Sequence, residues 1–529
     1  MIVMCYLAGN VRGDCVSNLE FVRKLYNGKN CYSDHMSDKE LECIYINSKV
    51  EDIILRLLNA NKIVFLTGNP GDGKTFLIKK HNREILSLDT YIETDLNRVS
   101  NYGEVAGEIL KCYAKGRPAI IAVNEYQFYQ LCKVIKRFSA EIYNETMEVK
   151  NDCIVYDIPG VQLKRIAIID LNERSLLDKD RDLTEEILDK LCNLLGSEKI
   201  YDEQLQKNLE ALNNNDIRKR VIELIELATT SCEHFAVRDI LGAISFILTA
   251  CTTDEYKGMP YYDAIFEGTN SLLLAIQQFD PVYLSKATLD ENLWNGDIID
   301  GWYKDIPSQW PNAPEFDDSV DDAVICFKSI KRKYYFENIG GNELSLLQPD
   351  EVKRCINMFK TFEVQKKQIK ERIIRSINKL FLPSSEDKKQ LHIWTTHRYD
   401  YSTDITTAIS SRYVDASDLE LKMPRPNDWL EGIEYVPNHI VLKPKTMENP
   451  ELILDVDFLR TLDAVDNGYP VGLLAPQYEQ TAARFLRRLN DCEFSDENDD
   501  GEIIIANRKK SYKKSIFITE NKYNFEEDE

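Results

Sequence analysis

The chain has 529 residues, too many for one hydrophobic core, and with 43 % hydrophobic and 10 % aromatic residues it can pack several domains. A formal net charge of −22 excludes a general nucleic-acid coat, because the surface as a whole repels phosphates, and leaves only local basic patches for such a role. Thirteen cysteines, odd in number and without C-x-x-C spacing, exclude a disulfide framework and point to reduced thiols. No basic leader precedes MIVMCYLAGN and no apolar run nears the ~18 residues of a membrane span, so the expectation is a cytoplasmic protein away from membranes.

In chain order, an N-terminal extension (1–40) precedes LECIYI at 41–46, which reads as a short strand, and VEDIILRLLNA at 50–60, an amphipathic helix. The apolar run 63–66 then stops at Gly68. Gly68-Asn69-Pro70-Gly71-Asp72-Gly73-Lys74-Thr75 fills the spacing G-x-x-x-x-G-K-[ST], and Phe76 opens a helical pattern. Such a loop binds a nucleoside triphosphate because its glycines let main-chain amides converge on phosphate oxygens. Lys74 adds a point charge at the β- and γ-phosphates, and Thr75 adds a hydroxyl for Mg²⁺. The helix beginning at Gly73 turns its positive end to the same anion. Gly68 to Phe76 are thus the expected cofactor-binding residues, with ATP and Mg²⁺ as cofactors.

TYIETD (90–95), RPAIIAVNE (117–125) and RIAIIDLNER (165–174) read as further strands separated by helices, the pattern of an α/β fold with a parallel sheet. Ligands in such sheets sit at the carboxyl ends of strands, which brings the three strand ends to one site. Hydrolysis needs an acid near Mg²⁺ and a carboxylate to polarise water. In one assignment Asn124-Glu125 is a variant acidic pair, Glu125 is the base and Asn172 reads the γ-phosphate. In the other, Asp170 is the Mg²⁺ partner alongside Thr75, and Glu173 is the base. A neutral amide at Asn124 holds hydrated Mg²⁺ less strongly than a carboxylate does, a deficit Asp170 can offset. The core is expected over 41–180.

Residues 181–255 read as a helical lid. Within it HFAVRDILGAISFILT (234–249) carries Arg238, which either reaches the γ-phosphate or pairs with Asp239; Arg174 is the other candidate finger. From 256 to 385 aromatic and Asp/Pro/Asn-rich connections break up short helices. Two basic stretches follow an acidic segment at 315–322: Lys328, Lys331, Arg332 and Lys333, then nine Lys or Arg between 353 and 379. They are either a surface for DNA phosphates or an acidic partner, or a solvated face paired to nearby acids. Residues 386–529 read as a mixed α/β domain with short strands, a helical stretch at 467–490 and a terminal hairpin around a basic turn. His392 and His397 lie near Asp400 without ligand spacing.

GNPGDGKT, AVNE, IIDLNER, FAVRDILGAISFILT, FDP (279–281) and KRKYYFEN together resemble bacterial defence-associated AAA-type P-loop ATPases, including those of phosphorothioation-dependent DNA restriction systems. The resemblance runs over about 41–340. It implies the ATPase subunit of a multi-subunit system against foreign DNA such as phage, working beside partners that carry nuclease or translocase activity. Self-assembly into a homo-oligomer is compatible with that role. The alternative is a nucleotide-held signalling switch or scaffold with little turnover, which the amide at Asn124 favours.

Overall fold

The computed structural model describes residues 17–26, 36–96, 99, 101–156, 165–178, 181–229, 234–295, 319–338, 350–403, 405–447, 449–492, 503–508, 513–519 and 522–528. Much of the acidic segment 315–322 and the basic turn of the terminal hairpin lie outside these residues. By internal contacts the chain divides into two units, 1–138 with 169–229 and 234–345, and 139–168 with 230–233 and 346–529.

The first unit is α/β. Its strands are β1 (Ile63–Thr67), β2 (Tyr91–Glu93), β3 (Ala119–Ala122) and β5 (Ile166–Asp170), whose last residues fall in this unit. They form a four-stranded parallel sheet in the order β2-β3-β1-β5. Every residue of β1, β3 and β5 is buried. That burial explains why these strands are unbroken apolar runs: a parallel sheet covered on both faces has no wet side to alternate with. The order places β3 between β2 and β1, so the chain leaving each of the four strands emerges at one edge.

Helices α1 (Asn18–Tyr26), α2 (Asp38–Ile44), α3 (Lys49–Asn59), α4 (Lys74–Lys80), α5 (Asn82–Ser87), α6 (Tyr102–Lys115) and α7 (Glu125–Phe138) belong to this unit. So do α9 (Leu183–Gly196), α10 (Glu203–Leu212), α11 (Asn215–Thr229), α12 (Val237–Thr249), α13 (Tyr261–Glu267), α14 (Ser271–Gln277), α15 (Ala287–Asn295) and α16 (Ser319–Glu337). Of the strand expected at 41–46, residues 41–44 are instead the second half of α2, and Tyr45 and Ile46 follow its end. Ser37 and Glu40 form a capping box, each side chain bonded to the other's backbone N–H, and this fixes a helix start that the apolar run alone conceals. Two short strands, β6 (Leu177–Asp178) and β7 (Arg181–Asp182), precede α9. Helix α12 is buried from Ile240 to Thr249 on all sides, as its nearly continuous apolar sequence requires, and α1 packs along it. The approach is close: a Cβ on Gly242 would lie 3.3 Å from the Leu25 carbonyl oxygen.

The basic stretch at 328–333 does not form an outward cationic face. Lys331 is 1 % exposed and pairs with Asp290 at 2.7 Å. Arg332 reaches Asp280 at 2.6 Å, Glu267 at 2.9 Å and Asp263 at 3.2 Å, while Lys333 lies 3.6 Å from Glu337. Only Lys328 of the four is exposed. Little of the charge in this stretch is left facing water. Two of its cations are desolvated, and a charge removed from water is retained only beside compensating carboxylates. Sequence proximity pointed to the 315–322 acids, whereas these partners come from α13, α15 and the turn at 280.

The second unit contains α8 (Ala140–Asn151), α17 (Asp350–Phe381), α18 (Val456–Asp466) and α19 (Pro476–Asn490). Strands β8 (Gln390–Trp394), β9 (Thr407–Asp415), β14 (Ile503–Asn507), β15 (Lys513–Thr519) and β16 (Lys522–Asp528) form an antiparallel sheet in the order β16-β15-β14-β9-β8. A second antiparallel sheet orders β10 (Leu419–Lys422), β12 (His439–Pro444) and β13 (Leu452–Asp455). A short pair joins β11 (Arg425–Pro426) to β4 (Ile154–Val155). The segment 139–168, which interrupts the α/β pattern in sequence, therefore packs with the C-terminal unit. Helix α17 lies on α18 and β8 through one apolar core that includes Ile373, Ile377, Phe381, Trp394 and Leu462.

Part of the basic series on α17 is also paired with acids. Arg354 and Arg372 pair with Asp463, Arg375 meets Asp466 at 2.6 Å, and Lys379 lies 2.8 Å from Glu386. Lys370 donates to the carbonyls of Ala416 and Leu419, and Lys366 lies over the Phe362 ring. Lys360 and Lys367 remain exposed. Among the described residues, Asp463 and Asp466 on the neighbouring helix thus pair with Arg354, Arg372 and Arg375 of this series. No helix among the described residues is long and apolar enough to cross a membrane, and the seven cysteines whose side chains are described are all free.

Candidate functional site

The site is built on the turn from β1 into α4. Gly68, Gly71 and Gly73 take φ of 148°, 106° and 86°, a region that L side chains rarely enter. Close approach enforces glycine as well: a Cβ at Gly68 would stand 2.6 Å from Asp72 Oδ2. Three glycines in eight residues are thus a backbone requirement of this turn. The turn folds onto itself through Lys74, whose ammonium donates to the carbonyls of Gly68 at 2.8 Å and Asn69 at 2.7 Å. Burial pulls the Lys74 pKa down to about 8, against the opposing charges of Asp72 and Asp170.

A cavity of about 250 Å³ opens beside this turn. Its polar lining includes Asp72, Lys74 and Thr75 from the turn, Thr94 and Asp95 after β2, Asn124 after β3, Arg174 after β5 and Arg238 from α12. Its apolar lining includes Leu41, Ile44 and Tyr45 from α2 and its exit, with Phe76, Leu183, Ile187 and Leu241. The Tyr45 and Phe76 rings meet edge to face, 4.9 Å between centroids. Charged groups and aromatic and aliphatic side chains in one cavity suit a ligand that has both a charged and an apolar part.

Comparisons with protein families, with curated proteins and with solved structures return no match to this chain. Its chemistry has to be read from the site alone.

The residues singled out in the sequence fall into two groups. Asn69, Pro70, Asp72, Lys74, Asn172 and Arg238 are joined by hydrogen bonds: Asn172 Oδ1 accepts from the Asn69 N–H at 3.1 Å, and Arg238 donates to the Pro70 carbonyl at 3.0 Å. Arg174 is buried and lines the cavity, and the Thr75 hydroxyl donates to the Thr94 carbonyl at 3.3 Å. Asp170 is 4 % exposed, caps the short turn after β5 by accepting from the Asn172 N–H at 3.2 Å, and is close enough to act on the Lys74 charge. Glu125 and Glu173, the two candidate bases, are exposed and do not line the cavity. Asn124 does line it, with its N–H donating to Gln127 Oε1 at 3.1 Å to start α7.

Four contributors were not anticipated. Asp95 and Thr94 reach the cavity because β2 lies beside β3, and the polar end of TYIETD was the available signal. His234 Nε2 stands 2.9 Å from Asp72 Oδ1, 162 residues away, a pairing for which the sequence carries no signal. Tyr45 was misplaced with its strand. Among the described residues no cluster of three or more His, Cys, Asp or Glu is arranged to hold a metal by itself.

Proposed function

We propose that the first unit is a P-loop ATPase of AAA-like type, binding ATP at Gly68 to Thr75 and hydrolysing it with Mg²⁺. The observation that carries this reading is the coincidence of three glycines at positive φ, a buried Lys74 folded onto the same turn and a cavity beside it lined by both charged and apolar side chains. The strand order supports the AAA-like class, since the strand ending in Asn124 lies between the turn-bearing strand and β2. Main-chain amides of the turn hold the triphosphate, Lys74 neutralises its outer phosphates, and Tyr45, Phe76 and Leu183 cover the base. Mg²⁺ fits this site, because it takes one or two carboxylates with phosphate oxygens and water, and Thr75, Asp95 and Asp170 supply a hydroxyl and carboxylates nearby. When bound, the ion neutralises charge between the outer phosphates. Asn124 and Arg174 face the cavity from the strand ends, placed to orient water and the terminal phosphate.

The test is ATP binding and turnover by the purified chain with Mg²⁺, compared with Lys74→Ala. Binding and hydrolysis lost in the variant support the reading; equal binding and hydrolysis in both proteins reject it.

The exposed positions of Glu125 and Glu173 favour a second reading for the rate: a nucleotide-held switch that turns over slowly. In either form, the resemblance to defence-associated ATPases supports a role as the nucleotide-dependent subunit of a system acting on foreign DNA. Turnover stimulated by DNA favours the motor; tight retention of nucleotide without turnover favours the switch.

A further inference from the structure

One main-chain amide of the loop is already held by a carboxylate of the same loop. The Asn69 N–H donates to Asp72 Oδ2 at 2.5 Å, and the Asp72 side chain, 3 % exposed, presses on the Gly68 Cα, leaving no room for a Cβ there. The other carboxylate oxygen meets His234 at 2.9 Å. Four residues further on, Arg238 donates to the Pro70 carbonyl, and its side chain lies against Gly71, where a Cβ would come within 3.1 Å of it. The chain entering α12 is therefore fastened to the turn at two points, and one of them is a buried carboxylate of the turn itself.

We infer that Asp72 is an internal plug of the phosphate cradle and that His234 holds it there, so that an entering triphosphate must expel the Asp72 carboxylate and release the start of α12. This rests on the nucleotide reading above and names the regulation of that site. The physics is like-charge exclusion. A buried carboxylate beside the Asn69 N–H and a phosphate in the same turn repel one another at close range, so occupancy of the turn by phosphate and by the Asp72 carboxylate are alternatives. Once Asp72 turns out, His234 loses its partner and one of the two fastenings is gone. Nucleotide occupancy is thereby converted into a change at residues 234–238 without contact between nucleotide and His234.

The experiment measures MgATP affinity for the wild type, Asp72→Ala, His234→Ala and the double variant, with Asp72→Asn as a same-shape control. It also follows amide hydrogen exchange across residues 234–249 with and without MgATP. Removal of the plug is expected to tighten binding by about tenfold, the size of a one-unit change in log K for a displaced charge. His234→Ala tightens it less, and the double variant matches Asp72→Ala. Without nucleotide, Asp72→Ala exchanges at the start of α12 as fast as the wild type does when saturated with MgATP. Wild-type binding with no gain in Asp72→Ala overturns the plug and leaves the nucleotide site standing. Unchanged exchange in nucleotide-free Asp72→Ala overturns the fastening. No binding by any of these proteins overturns the nucleotide reading and the plug together.

Discussion

The Lys74 ammonium donates 2.8 Å to the carbonyl oxygen of Gly68, six residues before it, so the lysine closes the turn it is expected to lend to a ligand. Burial lowers its pKa to about 8. A bound triphosphate favours the charged form, so the complex holds more protons than the free protein above that value. Affinity for MgATP should therefore be flat below pH 8 and fall as the pH rises past it. Isothermal titration from pH 7 to pH 9.5 checks this, and the Lys74→Ala protein should show weak binding with no such fall.

Gly68→Ala tests the turn without removing a functional group. Its Cβ would meet Asp72 Oδ2 at 2.6 Å on a backbone at φ 148°. The backbone strain alone is on the order of 1–3 kcal/mol. We expect a folded protein of lower stability whose affinity for MgATP is reduced at least tenfold, measured by thermal unfolding and by titration.

The candidate bases separate by position. Glu125→Gln should leave turnover within about threefold of wild type, because its side chain is exposed and off the cavity wall. Asp170→Asn and Asp95→Asn should each lower it more than tenfold if hydrolysis runs at this cavity. Steady-state phosphate release decides between them, and a large loss in Glu125→Gln alone restores it as the base.

Arg332 is buried among Asp263, Glu267 and Asp280. Burial, helped by the Glu267 charge, pushes the Asp263 carboxyl up, against Arg332 and the Ser329 hydroxyl. Truncating the arginine strands those carboxylates, a loss of about 3–5 kcal/mol for a buried pair. Arg332→Leu should lower the urea midpoint of the first unit strongly, whereas Lys328→Ala, at an exposed position, should not move it.

Asp466 on α18 gives the second unit an acid sensitivity. Burial pushes its carboxyl up, but the Arg375 hydrogen bonds and the charges of Arg375, Lys379 and Arg372 outweigh this and hold it below the usual carboxylate range. Its folded pKa is depressed, so its contribution is complete above the unfolded value of about 3.9 and is lost as the pH falls below it. Asp466→Asn should lower stability at pH 7 and flatten the decline below pH 4, read by urea unfolding.

Local sequence determined the turn and the strands around it. Gly68 to Thr75 is legible because left-handed backbone at three positions admits glycine almost alone, and β1, β3 and β5 are legible because strands covered on both faces are unbroken apolar runs. The capping box at Ser37 and Glu40 was equally local and could have placed α2, and with it Tyr45. What only the tertiary structure decided is which charges face water and which strand ends meet. Lys331, Arg332 and Arg375 read as outward cations until acids from distant helices are set against them. Asp95 joins the cavity only because β2 lies beside β3, and His234 meets Asp72 across 162 residues. Backbone geometry is written in neighbouring residues, whereas desolvation and pairing of charge depend on what the fold brings from elsewhere, and no spacing along the chain encodes that.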